Sequence, residues 1–558
     1  MSPGPRPAYS GAVLHARLLR HAAPVLLLAA CSGKGQVQTT GTTGTTGTGG
    51  AGGTGGTGSG GGASATVVMT DKGPVKGAVV GQTRAFYGIP YAAPPVGPLR
   101  WKPPHPTTAW KATRDATVKG AYCPQLGALS ATPMAGTSED CLTVNVWTPA
   151  TRPAAAAPVM VWVHGGGFTL GSGAESTYDG QALSEATGAV IVTLNYRLGP
   201  LGWLAHGALQ AEDAAHPSSG MYGFEDQRAA LAWAKVNAAA FGGDSAKITL
   251  FGESAGGIST CLHLLAPKSA GLFQRAIIES GPCALTGGTE KSAETQGDAF
   301  ATALGCTDKA AVLTCMRAKK ADDLLLALPP KTAVIGPSGA GWLPLVDGYN
   351  IPDQPGKLLT AGTFTKVPTI VGANRNEGTL FFKIGLSVTN DADYLALVDG
   401  IFTGQGAKIV AQYPSASFPT PQDAAAEAIG DGLFVCPTRR TARGLAAGGA
   451  PTYLYAFVHP VETPIFMGLG AFHSSEVPFI FENAYLGFTL GANEKPLSQA
   501  MIGYWFGLAK SGDPNAGKAL PWPKYDGTTD QSLLLNLMQS TTTGLKKALC
   551  DFWDGIGP

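Results

Sequence analysis

The sequence predicts an α/β fold built on a large, mostly parallel, twisted central sheet with helices on both faces. Three observations predict it. From about residue 66 to 550, short runs of β-branched and aromatic residues alternate with stretches of helical period, the order that right-handed crossovers between parallel strands require. Several runs are apolar at consecutive rather than alternate positions, as in VMVWV at 159–163 and VIVTL at 190–194, which is the composition of strands covered on both faces. No Pro/Gly-rich gap of linker character interrupts the stretch, so residues 66–558 read as one large domain.

Residues 1–30 combine Arg6, Arg17 and Arg20 with a short apolar run at 24–30, too short to span a bilayer and typical of an export signal peptide. The run stops at Leu28, Ala29, Ala30 and Cys31. That ending resembles a bacterial lipobox, in which the cysteine becomes the lipid-modified first residue; ordinary signal cleavage beside an incidental Cys31 is the alternative. Residues 31–65 form a Gly/Thr-rich linker: 13 of the 77 glycines lie in residues 39–63, where almost no side chain can join a core, so a flexible coil is expected. Within the domain, strands are expected at 159–163, 189–194, 247–251, 276–279, 368–371 and 452–457. Residues 226–237 place Ala230, Trp233, Ala234 and Asn237 at helical spacing, and another helix is expected over 254–265.

Lys+Arg 39 against Asp+Glu 38 leaves a net charge of +1, too little to gather nucleic acid or an anionic membrane. No nucleic-acid partner is expected, and membrane contact would come only through a lipid at Cys31. With 44% hydrophobic residues the bulk of the chain can bury a core. Oligomeric state is not legible. Nine cysteines less Cys31 leave an even number, which suits export to an oxidising compartment: the cell envelope if Cys31 is lipidated, otherwise a secreted or periplasmic location. Cys123 with Cys141 and Cys306 with Cys315 would close small loops, and Cys436 with Cys550 would tie the C-terminus to the body. Cys261 and Cys283 are either a fourth pair or two buried thiols.

The chemistry concentrates in a few short motifs. GESAGG at 252–257 holds the single G-x-S-x-G of the chain, between an expected strand and an expected helix. A nucleophilic serine needs such a sharp turn to lift its hydroxyl above the sheet, with small residues two before and two after it. HGGGF at 164–168 follows the strand at 159–163, where glycines can turn backbone N–H groups toward a substrate carbonyl, with the N–H of Ala255 completing an oxyanion hole. Beyond Ser254 the histidines are His263, His459 and His473. His263 lies in the helix that starts at the serine and cannot reach back, and His459 precedes Pro460 in a structural loop, so His473 is the expected base. Glu377, where the strand at 368–371 gives way to a loop, is the expected acid, with Asp347 as competitor. Asp226 and Asp244 read as caps or solvated surface.

These motifs resemble the type B carboxylesterases, the family that includes the cholinesterases, over roughly residues 66–553. The resemblance rests on YGIPY at 87–91, PVGPLRW at 95–101, SEDCLTVN at 138–145, HGGGF, NYRLGPLG at 195–202, FGGD at 241–244, GESAGG, NEG at 376–378 and the His473-x-x-Glu476 pair. It implies the α/β-hydrolase fold and ester hydrolysis through an acyl-enzyme on Ser254, with His473 and Glu377, without metal or organic cofactor. It also implies Gly166 and Gly167 as oxyanion donors, and disulfides Cys123 with Cys141, Cys306 with Cys315 and Cys436 with Cys550. Glu253, Ser280 and Glu476 are implied as a polar network behind the histidine. One departure is informative: residues 124–138 contain no aromatic side chain, so stacking on a choline-like cation is not expected. Leu380, Phe381 and Phe382 are candidates for an apolar acyl or alcohol pocket. Alternatives are a lipase or a polysaccharide or xenobiotic esterase with the same triad, or a non-catalytic neuroligin-like binding module.

Overall fold

The computed structural model describes residues 66–556, apart from 128–129, 131, 284–287, 331–334, 336–338, 462 and 517–519. The expected signal peptide, the expected linker and Cys31 therefore lie outside the described residues. Residues Gly62–Pro558 make up a single compact unit. At its centre is an eleven-stranded sheet of β1 (Ala78–Val80), β2 (Thr83–Pro90), β3 (Thr143–Pro149), β4 (Ala157–Val163), β5 (Val190–Leu194), β6 (Gly243–Glu253), β7 (Arg275–Glu279), β8 (Thr369–Asn374), β9 (Thr452–Phe457), β10 (Gln531–Leu535) and β11 (Ser540–Thr543). Across the sheet the order is β11-β10-β9-β8-β7-β6-β4-β5-β3-β2-β1. The central pairings, from β10 through β9, β8, β7, β6 and β4 to β5, are parallel, and antiparallel strands close both edges. All six strands expected from sequence are present, because each is an apolar run that only a doubly covered position can bury.

Helices cover both faces. On one side α1 (Tyr222–Asn237), α2 (Ala255–Leu265) and α4 (Cys436–Ala447) pack on the sheet; on the other α5 (Val477–Phe481) and α6 (Lys495–Ser511) do so, and α3 (Pro421–Gly430) runs into α4. The α6 face is aromatic: Trp162 meets Phe251 at 4.8 Å and Phe481 at 5.0 Å, and Trp505 lies over Tyr455 at 5.4 Å. Such pairs contribute about 0.5–1.5 kcal/mol each beyond their buried area. Among the described residues no helix is long and apolar enough to cross a membrane.

Four disulfides staple the unit: Cys123 to Cys141, Cys261 to Cys283, Cys306 to Cys315 and Cys436 to Cys550. The pairing of Cys261 with Cys283 closes the alternative left open by sequence and ties α2 to the turn that follows β7. One expectation fails. Asp226 is neither cap nor surface; it is fully buried and holds Arg197 through two contacts of 2.7 Å. Its helical position in α1 faces inward against the NYRLG segment, and a buried guanidinium there needs a partner of opposite charge. Asp244 behaves as expected, accepting the Ala246 amide at 2.9 Å beside Lys247.

Candidate active site

The C-terminal ends of β4, β6, β7 and β8 converge on Ser254. The serine itself is strained, with φ 56° and ψ −121°, a conformation that side chains other than glycine avoid and that persists only where the surroundings enforce it. Enforcement comes from packing. The Ser254 N–H donates to the Glu279 carbonyl at 2.9 Å, and a Cβ on Gly256 would sit 1.9 Å from the Val163 carbonyl oxygen, so α2 leaves the strand hard against β4 and β7. Its neighbours Glu253 and Ala255 are buried while Ser254 keeps partial access to solvent.

The glycine loop lies directly over this turn. A Cβ on Gly165 would come within 3.2 Å of Ser254 Cβ. Gly166, Gly167 and Phe168 all have positive φ (107°, 60° and 62°), and a side chain on Gly166 would meet the Leu170 carbonyl at 2.1 Å. Only glycine fits there. Gly166 and Gly167 are partly exposed beside the serine, whereas Phe168 is buried as the plug that holds the loop down, packed on Trp203 at 4.8 Å.

His473 arrives on a loop paired with the loop that carries Glu377: Asn376 N–H donates to the Ala471 carbonyl at 2.9 Å. His473 Nδ1 is 2.5 Å from Glu377 Oε2. The other carboxylate oxygen, Oε1, accepts from the Ser280 hydroxyl and from the Asn374 amide, each at 2.6 Å. Glu377 is thereby locked. His473 Nε2 is buried without a hydrogen-bond partner among the described residues, 3.2 Å from Glu253 Oε1 but out of line for a bond to it. Glu253 Oε1 in turn accepts from the Ser474 hydroxyl at 2.6 Å.

Four carboxyl groups, Glu253, Glu279, Glu377 and Glu476, are buried beneath the turn. Burial pushes Glu279 up to about 8, even though Trp505 Nε1 donates to it at 2.9 Å, and pushes Glu253 and Glu476 up as well. Desolvation acts against their charged forms, and at Glu253 the charge of the neighbouring His473 imidazolium acts the opposite way. For His473 burial acts downward, but Glu253 and Glu377 outweigh it, so the imidazole holds its proton above the ordinary histidine range.

Of the competing residues, His263 is buried against Ser269 and Gln227, His459 bonds to Glu494 at 2.9 Å, and Asp347 is used up in its own turn, accepting from Ser218, Asn350 and Ile351. Ser280 and Glu476 do stand behind the imidazole, with Ser280 Oγ 3.5 Å from Glu476. The apolar triplet separates. Phe381 lies 5.1 Å from the His473 ring, Leu380 packs with Phe466, Phe472 and Phe488, and Phe382 joins a different cluster around Val388 and Tyr394. Sequence reasoning missed Asn374, Ser474 and Phe434. Asn374, a polar residue ending an apolar strand just before the acid, was a usable signal; Phe434, 4.6 Å from His473, gave none.

An acid-tethered imidazole, a strained serine and a glycine loop above it are the parts of a covalent acyl-transfer site. The carboxylesterase family model matches residues 64–553. The chain belongs to the carboxylesterase family. Para-nitrobenzyl esterase of Bacillus subtilis (strain 168) is 36% identical over 84% of this chain and 94% of its own length. Carboxylesterase 5A of Canis lupus familiaris is 37% identical over 89% of this chain and 90% of its own, and acetylcholinesterase of Bungarus fasciatus is 33% identical over 89% and 87%. This carboxylesterase is accordingly a serine hydrolase that cleaves carboxylic esters to acid and alcohol. Its four disulfides are the chemistry of an exported protein.

Proposed function

We propose that Ser254 is the nucleophile, His473 the general base and then acid, and Glu377 the group that orients and charge-balances the imidazole. Ser254 Oγ attacks the ester carbonyl while its proton passes to His473 Nε2. The tetrahedral oxyanion takes hydrogen bonds from the amides of Gly166, Gly167 and Ala255. His473 returns the proton to the departing alkoxide, the carbon–oxygen bond to the alcohol breaks, and water repeats the sequence on the acyl-enzyme. Ser280 and Glu476 support the imidazole from behind, through Glu377, while Glu253 faces its Nε2 side. The observation that carries this reading is the 2.5 Å contact of Glu377 with Nδ1, which leaves Nε2 as the nitrogen free to take a proton.

Ser254→Ala should lower turnover of p-nitrophenyl butyrate by roughly 10⁴- to 10⁶-fold with an unchanged melting curve. Retained turnover would remove Ser254 from the mechanism. The aromatic-free stretch at 124–138 favours uncharged esters over a quaternary ammonium ester. We further propose anchoring of the exported protein through a lipid on Cys31, supported by the apolar run that ends there; labelling with a palmitate analogue tests it, and an unlabelled full-length chain would refute it.

A further inference from the structure

The base is tethered at one nitrogen only. Nδ1 is fixed by Glu377, whereas Nε2 has no hydrogen-bond partner among the described residues and a second carboxyl oxygen, on Glu253, lies 3.2 Å away. A ring held at one corner can pivot, and a short turn toward Glu253 would make a charge-assisted hydrogen bond stronger than one to a neutral serine hydroxyl. Something must oppose that turn.

Two parallel phenyl rings, stacked on each other, pack against one side of the imidazole. Phe381 and Phe434 stack on each other at 5.7 Å with 10° between their planes, and His473 leans on both, at 5.1 Å and 4.6 Å. All three are at least 95% buried. Phe381 comes from the segment that carries Glu377. Phe434 comes from far along the chain and from an unusual element: Asp431–Val435 is a π-helical turn between α3 and α4. One extra residue in a helical turn shifts the phase of the residues beyond it by about 100°. The turn is pinned on both sides, by buried Asp431, which accepts from Tyr413 at 2.9 Å and Lys546 at 2.5 Å, and by the Cys436–Cys550 disulfide. It also abuts the acid's loop, since a Cβ on Gly430 would lie 2.8 Å from the Gly378 nitrogen. π-turns are rare and frequently lie at functional sites.

We propose that Phe434 is a positioning residue: its ring, presented by the π-turn, blocks rotation of the His473 imidazole onto Glu253 and so keeps Nε2 directed at Ser254. This rests on the assignment of His473 as base. The groups facing the imidazole are Glu377 and Glu253, with Glu476 and Glu279 behind them.

The test is steady-state hydrolysis of p-nitrophenyl butyrate by the full-length protein carrying Phe434→Ala, Phe434→Leu, Glu253→Gln, and Phe434→Ala with Glu253→Gln. Phe434→Ala should lower kcat about tenfold to a hundredfold with KM within about twofold, as expected of a misplaced catalytic group. The acid limb of kcat should move to higher pH, because an imidazole bonded to Glu253 is harder to deprotonate. Phe434→Leu, which keeps bulk, should restore most of kcat. In the Glu253→Gln background the Phe434→Ala penalty should shrink several-fold, since the competing charge is gone. An equal penalty in both backgrounds, or a change confined to KM or acyl-chain preference with the pH profile unmoved, would overturn the proposal and make Phe434 a plain pocket wall. His473→Ala, run alongside, separates the premise: full activity there would refute the base assignment and not the packing.

Discussion

Replacing Glu377 by glutamine probes the acid most sharply, because the structure dictates which way the new amide turns. In the native site Oε1 accepts two hydrogen bonds, from Ser280 Oγ and from the Asn374 backbone N–H, both at 2.6 Å. The serine hydroxyl can rotate to suit either end of an amide; the backbone N–H cannot. A glutamine NH₂ placed there would press N–H against N–H, leaving a buried donor unsatisfied at a cost of about 1–3 kcal/mol. The carbonyl oxygen therefore stays with Asn374, and the NH₂ faces His473 Nδ1. That nitrogen becomes an acceptor, the ring proton moves to Nε2, and the imidazole is in the tautomer that cannot take a proton from Ser254. The expected loss is about 10⁴-fold in kcat, or about 5.4 kcal/mol in the barrier at 1.36 kcal/mol per factor of ten. KM should stay within about twofold, since the acid does not touch substrate. The assay is kcat and KM for p-nitrophenyl butyrate, with thermal melting as a check on folding. A loss under tenfold in a variant that melts normally would show that the carboxylate does not set the tautomer.

Two further outcomes are expected from the buried charges. His473 acts as a base only when neutral, and Glu253 and Glu377 hold its proton above the ordinary histidine range despite burial, so kcat/KM should fall as pH drops through that raised value; Glu253→Gln should move the limb to lower pH, and an unmoved limb would assign it to another group. Asp226→Asn should leave the Arg197 guanidinium buried without its counter-charge, destabilising the fold by about 3–5 kcal/mol; urea unfolding would measure it, and a change below about 1 kcal/mol would mean that water reaches the pair.

The legible parts of this carboxylesterase were those where one local constraint decides the outcome. The strands at 159–163 and 190–194 could be nothing else, being apolar on both faces and too short for buried helices. GESAGG declared a strand-to-helix turn because each glycine answers a specific close approach: Gly252 and Gly256 to the Val163 carbonyl, Gly257 to that of Glu279. Asp226 misled because its DQRAALAWAK context looks like the solvent face of a helix, and its burial is set by Arg197, which is brought opposite from the separate NYRLG segment. Cys261 and Cys283 stayed ambiguous for the same reason, since their approach is a property of how α2 crosses the turn after β7.

Phe434 marks where sequence reasoning stops on physical grounds. Read as ordinary α-helix, the segment running from α3 into α4 would carry Phe434 on a face fixed by its neighbours at 3.6 residues per turn. The π-turn breaks that phase, and nothing local in DGLFV demands it; its two ends are held by Asp431 binding Lys546 and by Cys436 bonded to Cys550, partners near the C-terminus. The C-terminal segment thus holds the turn whose phenyl ring contacts His473, the proposed base. Contacts between segments distant in sequence therefore bear on the packing around the proposed catalytic imidazole as well as on the global fold.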